Sequence, residues 1–240
     1  MRTFILKWHE AVRPDTPSTV EDLATEAHAL TDTVVNHRHL RMLATTPLLC
    51  ALVCALHRDR RTRMPHDRFE LYRIALEMLL ERRDLEREVH MVPAMARTQK
   101  MLVLQDLAYW LVRNGRLEVE ADRVTGLLTE RLATFGVPDT FSATVLQQLV
   151  LRTGVIRESS IGRIEFTHRT FQDYLAALAA VHADDIPLLI ANAHLDHWGD
   201  IVALAMGHAQ PRQRNELLNG LIDRGNAEPT RRIRLHILAT

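Results

Sequence analysis

The sequence contains very few lysines. Lys7 and Lys100 are the only two among 240 residues, and neither follows a glycine-rich loop. A P-loop holds nucleotide phosphates with a lysine placed directly after such a loop. The polypeptide therefore cannot carry a Walker A site. Because the groups that hold phosphates and magnesium are missing, we expect no nucleotide hydrolysis by this chain alone.

Cysteines are equally scarce. Cys50 and Cys54 are the only two, and they lie four residues apart in an apolar run. Two cysteines that face the same way on one helix do not make a disulfide framework. We interpret both as small core residues.

The sequence also lacks a long apolar run and an excess of charge. The longest run, Leu48 to Leu56, is far shorter than the ~20 residues that a helix needs to cross a bilayer. The N-terminus reaches charged residues before a signal-peptide core develops. The formal net charge is +0, which does not favour nucleic acid or anionic membranes. We therefore expect a soluble, cytoplasmic protein with no membrane partner.

Apolar residues recur at helical spacing along most of the chain. The apolar content of 47% is enough to bury a substantial core. A capping box of Ser18 and Glu21 predicts a helix with Leu23, Ala27, Leu30 and Val34 on one face. Further helices are predicted over Met1 to Val12, from Pro47 to His57, after Pro65, over Met95 to Arg113, Ala121 to Thr134 and Ser142 to Thr153, and at Ile186 to Ala193, Trp198 to Gly207, Arg212 to Ile222 and Thr230 to Leu238.

One segment has the pattern of a β-hairpin. Val155 to Glu158 and Arg163 to Phe166 are short strand-like runs about a Ser-Ser-Ile-Gly turn, and Leu117 and Val119 suggest a further short extended segment. Three helices followed by a two-stranded wing are typical of a winged helix. The predicted fold is mainly α: multi-helical, with a winged-helix subdomain that carries one small β-hairpin.

The second strand of this hairpin leads directly into a helix. Thr167 offers a hydroxyl cap for that helix, and His168 lies at the joint. A helix begins with unpaired N–H groups and a positive dipole end, so a histidine there can help to hold a phosphate. The alternative is a buried structural histidine that hydrogen-bonds to nearby backbone.

The run FTHRTFQDYLAA, residues 166–177, resembles a known signature. The signature F-x-H-x-[ST]-F-Q-[DE]-[YF]-L-A-A belongs to the winged-helix domain of NACHT-type signal-transduction ATPases, the STAND class. The matching residues are Phe166, His168, Thr170, Phe171, Gln172, Asp173, Tyr174, Leu175, Ala176 and Ala177. The resemblance implies that His168 contacts the β-phosphate of ADP in the resting state.

A second segment, ATTPLLCALVCALHRDR, resembles the lid element of the same ATPases. The resemblance implies that Pro47, with Thr46 before it, lies near the adenine of the nucleotide. Thr45 and Thr46 replace the commoner polar pair of that element. The alternative is an ordinary buried helix with a proline in its first turn.

Three more segments resemble parts of NACHT proteins: FILKWH near the N-terminus, RMPHDRFELY around Pro65, and WGDIVALAMG at residues 198–207. They imply that a nucleotide-binding core precedes this chain and is its partner. The implied domains are a helical lid at 1–90, a winged helix at 91–182 and the start of a C-terminal helical domain at 183–240. A shift toward charge from Glu81 to Glu88, closed by Pro93, supports the first boundary.

The resemblance also implies a function. The chain would be the nucleotide-state-sensing and oligomerisation-switch part of an ATPase that cycles between a closed ADP-bound state and an open ATP-bound homo-oligomer. ADP or ATP with magnesium would bind to the full-length protein, and no cofactor is expected for this chain alone. We predict no catalytic residue and no metal ligand, and the histidines of NHRHLR are interpreted as solvated surface. The arginine- and alanine-rich composition hints at a bacterial source.

Two other classes of function have less support in the sequence. A winged helix can be a DNA-binding transcriptional regulator, but the candidate recognition helix offers only Gln147, Gln148 and Arg152 among apolar neighbours. The basic run HRDRRTR, His57 to Arg63, is more typical of a solvated loop than of a phosphate contact. A self-contained enzyme has no nucleophile-base pair, metal cluster or carboxylate dyad to support it.

Overall fold

The computed structural model describes residues 1–12, 20–37, 40–41, 44, 46–60, 64–86 and 95–239. These residues are mainly α-helical, and the chain divides into two compact units, Met1–Ala75 and Leu76–Thr240. The predicted fold class is confirmed. The predicted domain boundaries near residues 90 and 182 stay a prediction. Within the described ranges, no helix combines the length and the apolar content that a membrane span requires.

The first unit is a small helical cluster. It contains α1 (Arg2–Ala11), α2 (Val20–Asn36), α3 (Pro47–Arg60) and the beginning of α4 (Arg68–Glu86). Helices α1, α2 and α3 all contact one another. The predicted inner face of α2 is confirmed, because its four residues Leu23, Ala27, Leu30 and Val34 are all buried. Ser18 of the predicted capping box lies outside the described residues.

Helix α3 is apolar in its middle and polar at its end. Cys50 and Cys54 are buried and free, as their interpretation as core residues predicts. The helix continues to Arg60, so the prediction of a loop from His57 is wrong for its first four residues, and residues 61–63 lie outside the described part. Each added residue of a formed helix gains a backbone hydrogen bond, which favours continuation past the apolar run.

Helix α4 begins three residues after Pro65, at a side-chain cap. The amide of Glu70 donates to Oδ1 of Asp67 at 2.8 Å, and the amide of His66 donates to Oε2 of Glu70 at 2.9 Å. These bonds satisfy donors that a helix start leaves unpaired. Asp67, rather than Pro65, therefore sets the start of the helix.

The second unit contains the winged helix. Its elements are α5 (Arg97–Arg113), β1 (Glu118–Glu120), α6 (Ala121–Thr134), α7 (Ser142–Thr153), β2 (Ile156–Ser160), β3 (Arg163–Phe166) and α8 (Arg169–His182). The predicted bounds of α6, α7 and β3 are confirmed. Helix α5 ends as predicted at Asn114 and Gly115, where Gly115 has a φ of +61° and the amide of Arg116 donates to the carbonyl of Leu111 at 2.9 Å.

The predicted hairpin forms part of a three-stranded antiparallel sheet in the order β1-β3-β2. Ile156 pairs with Phe166, and Val119 pairs with Ile164. The third strand, β1, arises from the short extended segment predicted around Leu117 and Val119. All four paired residues are buried, so the inner face of the wing packs on the helices.

Helix α8 occupies the centre of the second unit. It packs against α5 on one side and against α10 (Gly199–His208) on another. Ten of its fourteen residues are buried, from Phe171 to Ala177 and from Ala179 to Val181. A helix buried on so much of its surface requires apolar or small residues nearly all round. This requirement accounts for the alanine-rich run in its second half.

The unit ends in four α-helices: α9 (Ile186–Asn192), α10, α11 (Pro211–Ala227) and α12 (Arg232–Leu238). Helix α11 runs five residues beyond the predicted end at Ile222. Asp223 and Gly225 do not stop it, because Gly225 lies against α12, where an added Cβ would be 2.6 Å from Cδ2 of His236. Glycine is needed at position 225 because α12 packs closely there, and it does not end the helix.

Candidate functional site

His168 occupies the N-cap position of α8 and is exposed. Its carbonyl accepts a hydrogen bond from the amide of Phe171 at 3.0 Å, and its ring meets the Phe171 ring edge-on with centroids 6.1 Å apart. The alternative of a buried structural histidine is therefore wrong. Among the described residues, no hydrogen bond to its ring nitrogens is present, so the imidazole can reach a ligand.

Thr167 does not cap this helix, contrary to the prediction. No side chain makes a cap hydrogen bond at the start of α8. The amide of Thr167 instead donates to the carbonyl of Val155 at 2.9 Å, which extends the hairpin pairing by one residue. Because sheet pairing holds Thr167 in place, the N-cap position falls on His168, whose φ and ψ are −135° and 125°.

The surroundings of His168 are electropositive. Partial burial and the positive charge of Arg157 lower the pKa of His168 below its ordinary value. Nε of Arg157 donates to Oε1 of Glu165 at 2.7 Å, so that guanidinium is held in place on β2. Arg169 is half-exposed next to His168. The start of a fourteen-residue helix adds its dipole and unpaired N–H groups. The geometry thus suits an anion.

Thr46 and Pro47 lie in the first unit, at the start of α3. The amide of Leu49 donates to Oγ1 of Thr46 at 3.3 Å, and the amide of Cys50 donates to the carbonyl of Thr46 at 2.9 Å. The predicted cap by Thr46 and the first-turn position of Pro47 are thereby confirmed. Both residues are exposed, and Thr45 lies outside the described residues. Their place near an adenine stays a prediction.

Asp173 is a buried carboxylate that sequence reasoning did not single out beyond its match to the signature. Its side chain is only 9% exposed, and its Oδ1 has no hydrogen-bond partner within the described structure. Burial raises the pKa of this carboxyl to about 7, with the charge of Asp200 adding to the rise and Arg169 opposing it. The available signal was that Asp173 is the only charged residue in the run from Phe171 to Ala177.

The candidate DNA-recognition helix, α7, buries one face, with five of its twelve residues buried. Val145, Leu146 and Leu149 are buried, while Leu151 is exposed. Direct readout requires polar side chains that reach base edges in the major groove. The structure therefore offers no specific observation in favour of a DNA complex through α7.

Neither metal-ligating side chains nor the cavity between α5 and α6 indicate a further ligand site in the described residues. The described ranges contain no group of three metal-ligating side chains. Of the histidines in NHRHLR, His37 is exposed and His39 lies outside the described residues. A cavity of about 560 Å³ between α5 and α6 has a mixed lining that includes Trp110 and Leu127, and two of its charged residues pair with each other, because Nη2 of Arg131 donates to Oδ1 of Asp106 at 2.6 Å.

Comparison with protein-family models identifies the central part of the chain. Residues 68–180 match the family model described as a winged helix-turn-helix domain C-terminal to NACHT. The matched region begins at the first residue of α4 and ends in the last turn of α8, so it contains the whole sheet and the FTHRTFQDYLAA run. No curated protein matches the chain significantly.

Proposed function

Because this chain carries at residues 68–180 a winged helix-turn-helix domain of the family C-terminal to NACHT, we propose that it is the nucleotide-sensing and oligomerisation-switch part of a NACHT-type ATPase. The observation that carries the proposal is the exposed imidazole of His168 at the start of α8. In the proposal, a nucleotide-binding core supplies the catalytic groups and holds ADP or ATP with magnesium.

His168 is proposed to fasten the winged helix to the ADP-bound core. Its ring N–H would donate to a β-phosphate oxygen, with the first amides of α8 and the half-exposed Arg169 close by. A charge-assisted hydrogen bond is worth ~1.5 to 3 kcal/mol, which shifts a closed-to-open equilibrium about ten- to a hundredfold. ADP would also favour the protonated ring and so oppose the effect of Arg157.

Thr46 and Pro47 are proposed to contribute from the first unit, as the lid residues near the adenine. Release of ADP would free the winged helix and allow homo-oligomers of the ATP-bound protein to form. Such a signalling protein would act in the cytoplasm, in line with the sequence-based expectation.

The test uses the chain joined to its nucleotide-binding core. His168→Leu should weaken ADP binding about ten- to a hundredfold and raise the oligomeric fraction, measured by calorimetry and by sedimentation. The fold should be unaffected because His168 is exposed. His182→Leu is the control: this exposed histidine lies at the opposite end of the same helix, where its Nδ1 is 3.2 Å from Oε1 of Gln105.

Two results would contradict the proposal. Unchanged ADP affinity and unchanged oligomeric state in His168→Leu would make the histidine irrelevant to the switch. An unfolded His168→Leu, detected by circular dichroism, would assign it a structural role instead.

A further inference from the structure

A small cavity in the second unit contains a buried glutamine side chain, Gln172. The cavity lies where the end of α5 meets the first turns of α8 and α10, and its volume is about 230 Å³. Val112 and Ile201 form buried apolar walls, while Arg116 and Leu117 are exposed at its rim. Cavities that hold drug-sized ligands measure roughly 300 to 1,000 Å³, so this one has the size for a single side chain.

The side-chain amide of Gln172 has unused hydrogen-bond capacity inside this cavity. Gln172 is only 4% exposed, yet its amide makes no hydrogen bond within the described part of the chain. Oδ1 of Asp173 is sealed from solvent, but neither polar atom of Gln172 is, so the amide opens into the cavity that it lines. An amide offers two donors and one acceptor, and buried groups of this kind nearly always have partners. The unused donors therefore point to an acceptor that comes from outside.

Arg116 places a positive charge at the rim of the cavity. Its guanidinium makes no hydrogen bond and no ion pair with the described residues. Glu120, an acidic residue on which its charge acts, is already ion-paired with Arg163 on the sheet. A guanidinium carries five donors in a planar fork that matches a carboxylate. Arg116 and Gln172 thus supply donors to the same small space.

The neighbouring carboxylates leave the charge of Arg116 available. Asp196 and Asp200 line an adjoining cavity rather than this one, and Asp196 is ion-paired with Arg234. Among the described residues that line this cavity, Asp173 is the only carboxylate. Burial raises its pKa to about 7, with the charge of Asp200 adding to the rise, so about a tenth of it is ionised at pH 6. Arg169 lies 3.7 Å from Asp173 and is left to balance these acids.

We propose that this cavity binds a carboxylate on a short aliphatic stem, with the amide of Gln172 and the guanidinium of Arg116 as its donors. The amide donates to one carboxylate oxygen inside the cavity, and the guanidinium donates from the rim. Hydrogen bonds to a charged carboxylate are stronger than those between neutral groups. The stem lies against the apolar walls formed by Val112 and Ile201. The site is separate from the proposed nucleotide contact, because His168 is not part of the lining.

The experiment titrates the full chain, labelled with ¹⁵N, with N-acetyl-glutamate methylamide at pH 6 and follows the amide signals of Gly115, Arg116 and Gln172. Saturable binding is expected. The uncharged analogue N-acetyl-glutamine methylamide should bind about tenfold more weakly or less, because the charge-assisted hydrogen bonds are lost.

Two variants test the two donors. Gln172→Met keeps an unbranched side chain but removes the amide, and it should weaken binding of the glutamate probe about tenfold or more. Arg116→Gln removes the charge at an exposed position and should have a similar effect. Arg232→Gln is the control: it removes an exposed arginine on α12, away from the cavity, and should leave binding unchanged.

Three results would overturn the inference: no saturable binding of the glutamate probe, equal binding of the glutamine probe, or undiminished binding by Gln172→Met or Arg116→Gln. Circular dichroism shows whether each variant is folded; if Gln172→Met unfolds, the exposed Arg116→Gln still decides. Butyrate then identifies the source of the carboxylate. Binding as tight as that of the glutamate probe indicates a free acid, and weaker binding indicates a glutamate side chain of a protein partner.

Discussion

At the scale of single residues, Asp173 and His168 lie in the same signature but differ in burial. Asp173 is buried and has a raised pKa, whereas His168 is exposed and has a lowered pKa. Loss of solvent disfavours the charged form of each group, which raises the pKa of an acid and lowers that of a base. The same physical effect thus favours the neutral form of both side chains.

The raised pKa of Asp173 predicts a pH-dependent stability. The pKa is about 7 in the folded chain against an ordinary value of 3.8, so the folded state holds the proton more tightly. The stabilising contribution of the protonated form is complete below pH 4 and is lost as the pH rises to 7. Because each pH unit between the two pKa values corresponds to about 1.4 kcal/mol, the loss is roughly 4 kcal/mol at most.

Asp173→Asn should remove this dependence. We expect the variant to be more stable than the wild type at pH 8, by roughly 2 to 4 kcal/mol, and about equally stable at pH 4. Urea denaturation at both pH values measures the difference. Asp139→Asn, at an exposed position, is the control and should show no such gain. A wild-type advantage at pH 8 would contradict the assignment of a buried carboxylate that lacks a partner.

At the scale of elements, two helical glycines in the second unit should respond in opposite ways to alanine. In α6, a Cβ added to Gly126 meets nothing within 4 Å. In α11, a Cβ added to Gly220 would collide with the side chain of Ile190. Alanine has a helix propensity ~1 kcal/mol better than glycine, so the space around the added Cβ decides whether the substitution stabilises or destabilises the chain.

Gly126→Ala should therefore stabilise the chain by about 0.5 to 1 kcal/mol, whereas Gly220→Ala should destabilise it by about 1 to 3 kcal/mol because the half-buried side chain of Ile190 would have to move. Thermal and urea unfolding of the two variants measure both changes. Each variant serves as the control for the other, because the same substitution is made in a helix in both. Stabilisation by Gly220→Ala would show that α9 and α11 pack less closely than the structure indicates.

Local sequence patterns predicted the bounds of those helices and strands that begin and end at signals in their own sequence. The bounds of α6, α7 and β3 follow from apolar period and from flanking glycines such as Gly136 and Gly154, both of which have positive φ. Elements that depend on distant partners were predicted less well. Thr167 does not cap α8, because its amide donates to the carbonyl of Val155 in the sheet. Helix α11 continues through Gly225, because that glycine packs against His236.

The candidate site shows the same division. The signature identified His168, and cap rules placed Thr46 and Pro47 at the start of α3. The exposure of His168 could not be read from the sequence, because it depends on how the sheet and α8 meet. The orphaned oxygen of Asp173 could not be read either, since it requires knowledge of every atom around a buried position.

At the scale of the whole molecule, the two compact units carry different parts of the proposed switch. The first holds Thr46 and Pro47, and the second holds His168. In the proposal, both units contact the ADP that the nucleotide-binding core holds. Loss of ADP would therefore release both units at once.

The absence of a P-loop lysine predicts the behaviour of the chain alone. Lys7 lies in α1 and Lys100 is buried in α5, where its Nζ donates to the carbonyl of Leu80 at 3.1 Å. Neither is placed to hold a triphosphate, and phosphoryl transfer depends on such positioning. We therefore expect no ATP hydrolysis and no ATP binding in the micromolar range by this chain, measured by phosphate release and by calorimetry.

Addition of the nucleotide-binding core should restore ATP and ADP binding. The discriminating variant is again His168→Leu: in the joined protein it should weaken ADP binding, whereas in the chain alone it should change nothing, since no phosphate is held there. A micromolar dissociation constant for ATP with the chain alone would contradict the prediction. It would require a phosphate site built without a P-loop, and the first groups to test would be His168, Arg169 and the start of α8. Loss of that binding in His168→Leu would then place the site there and make the core dispensable for nucleotide recognition.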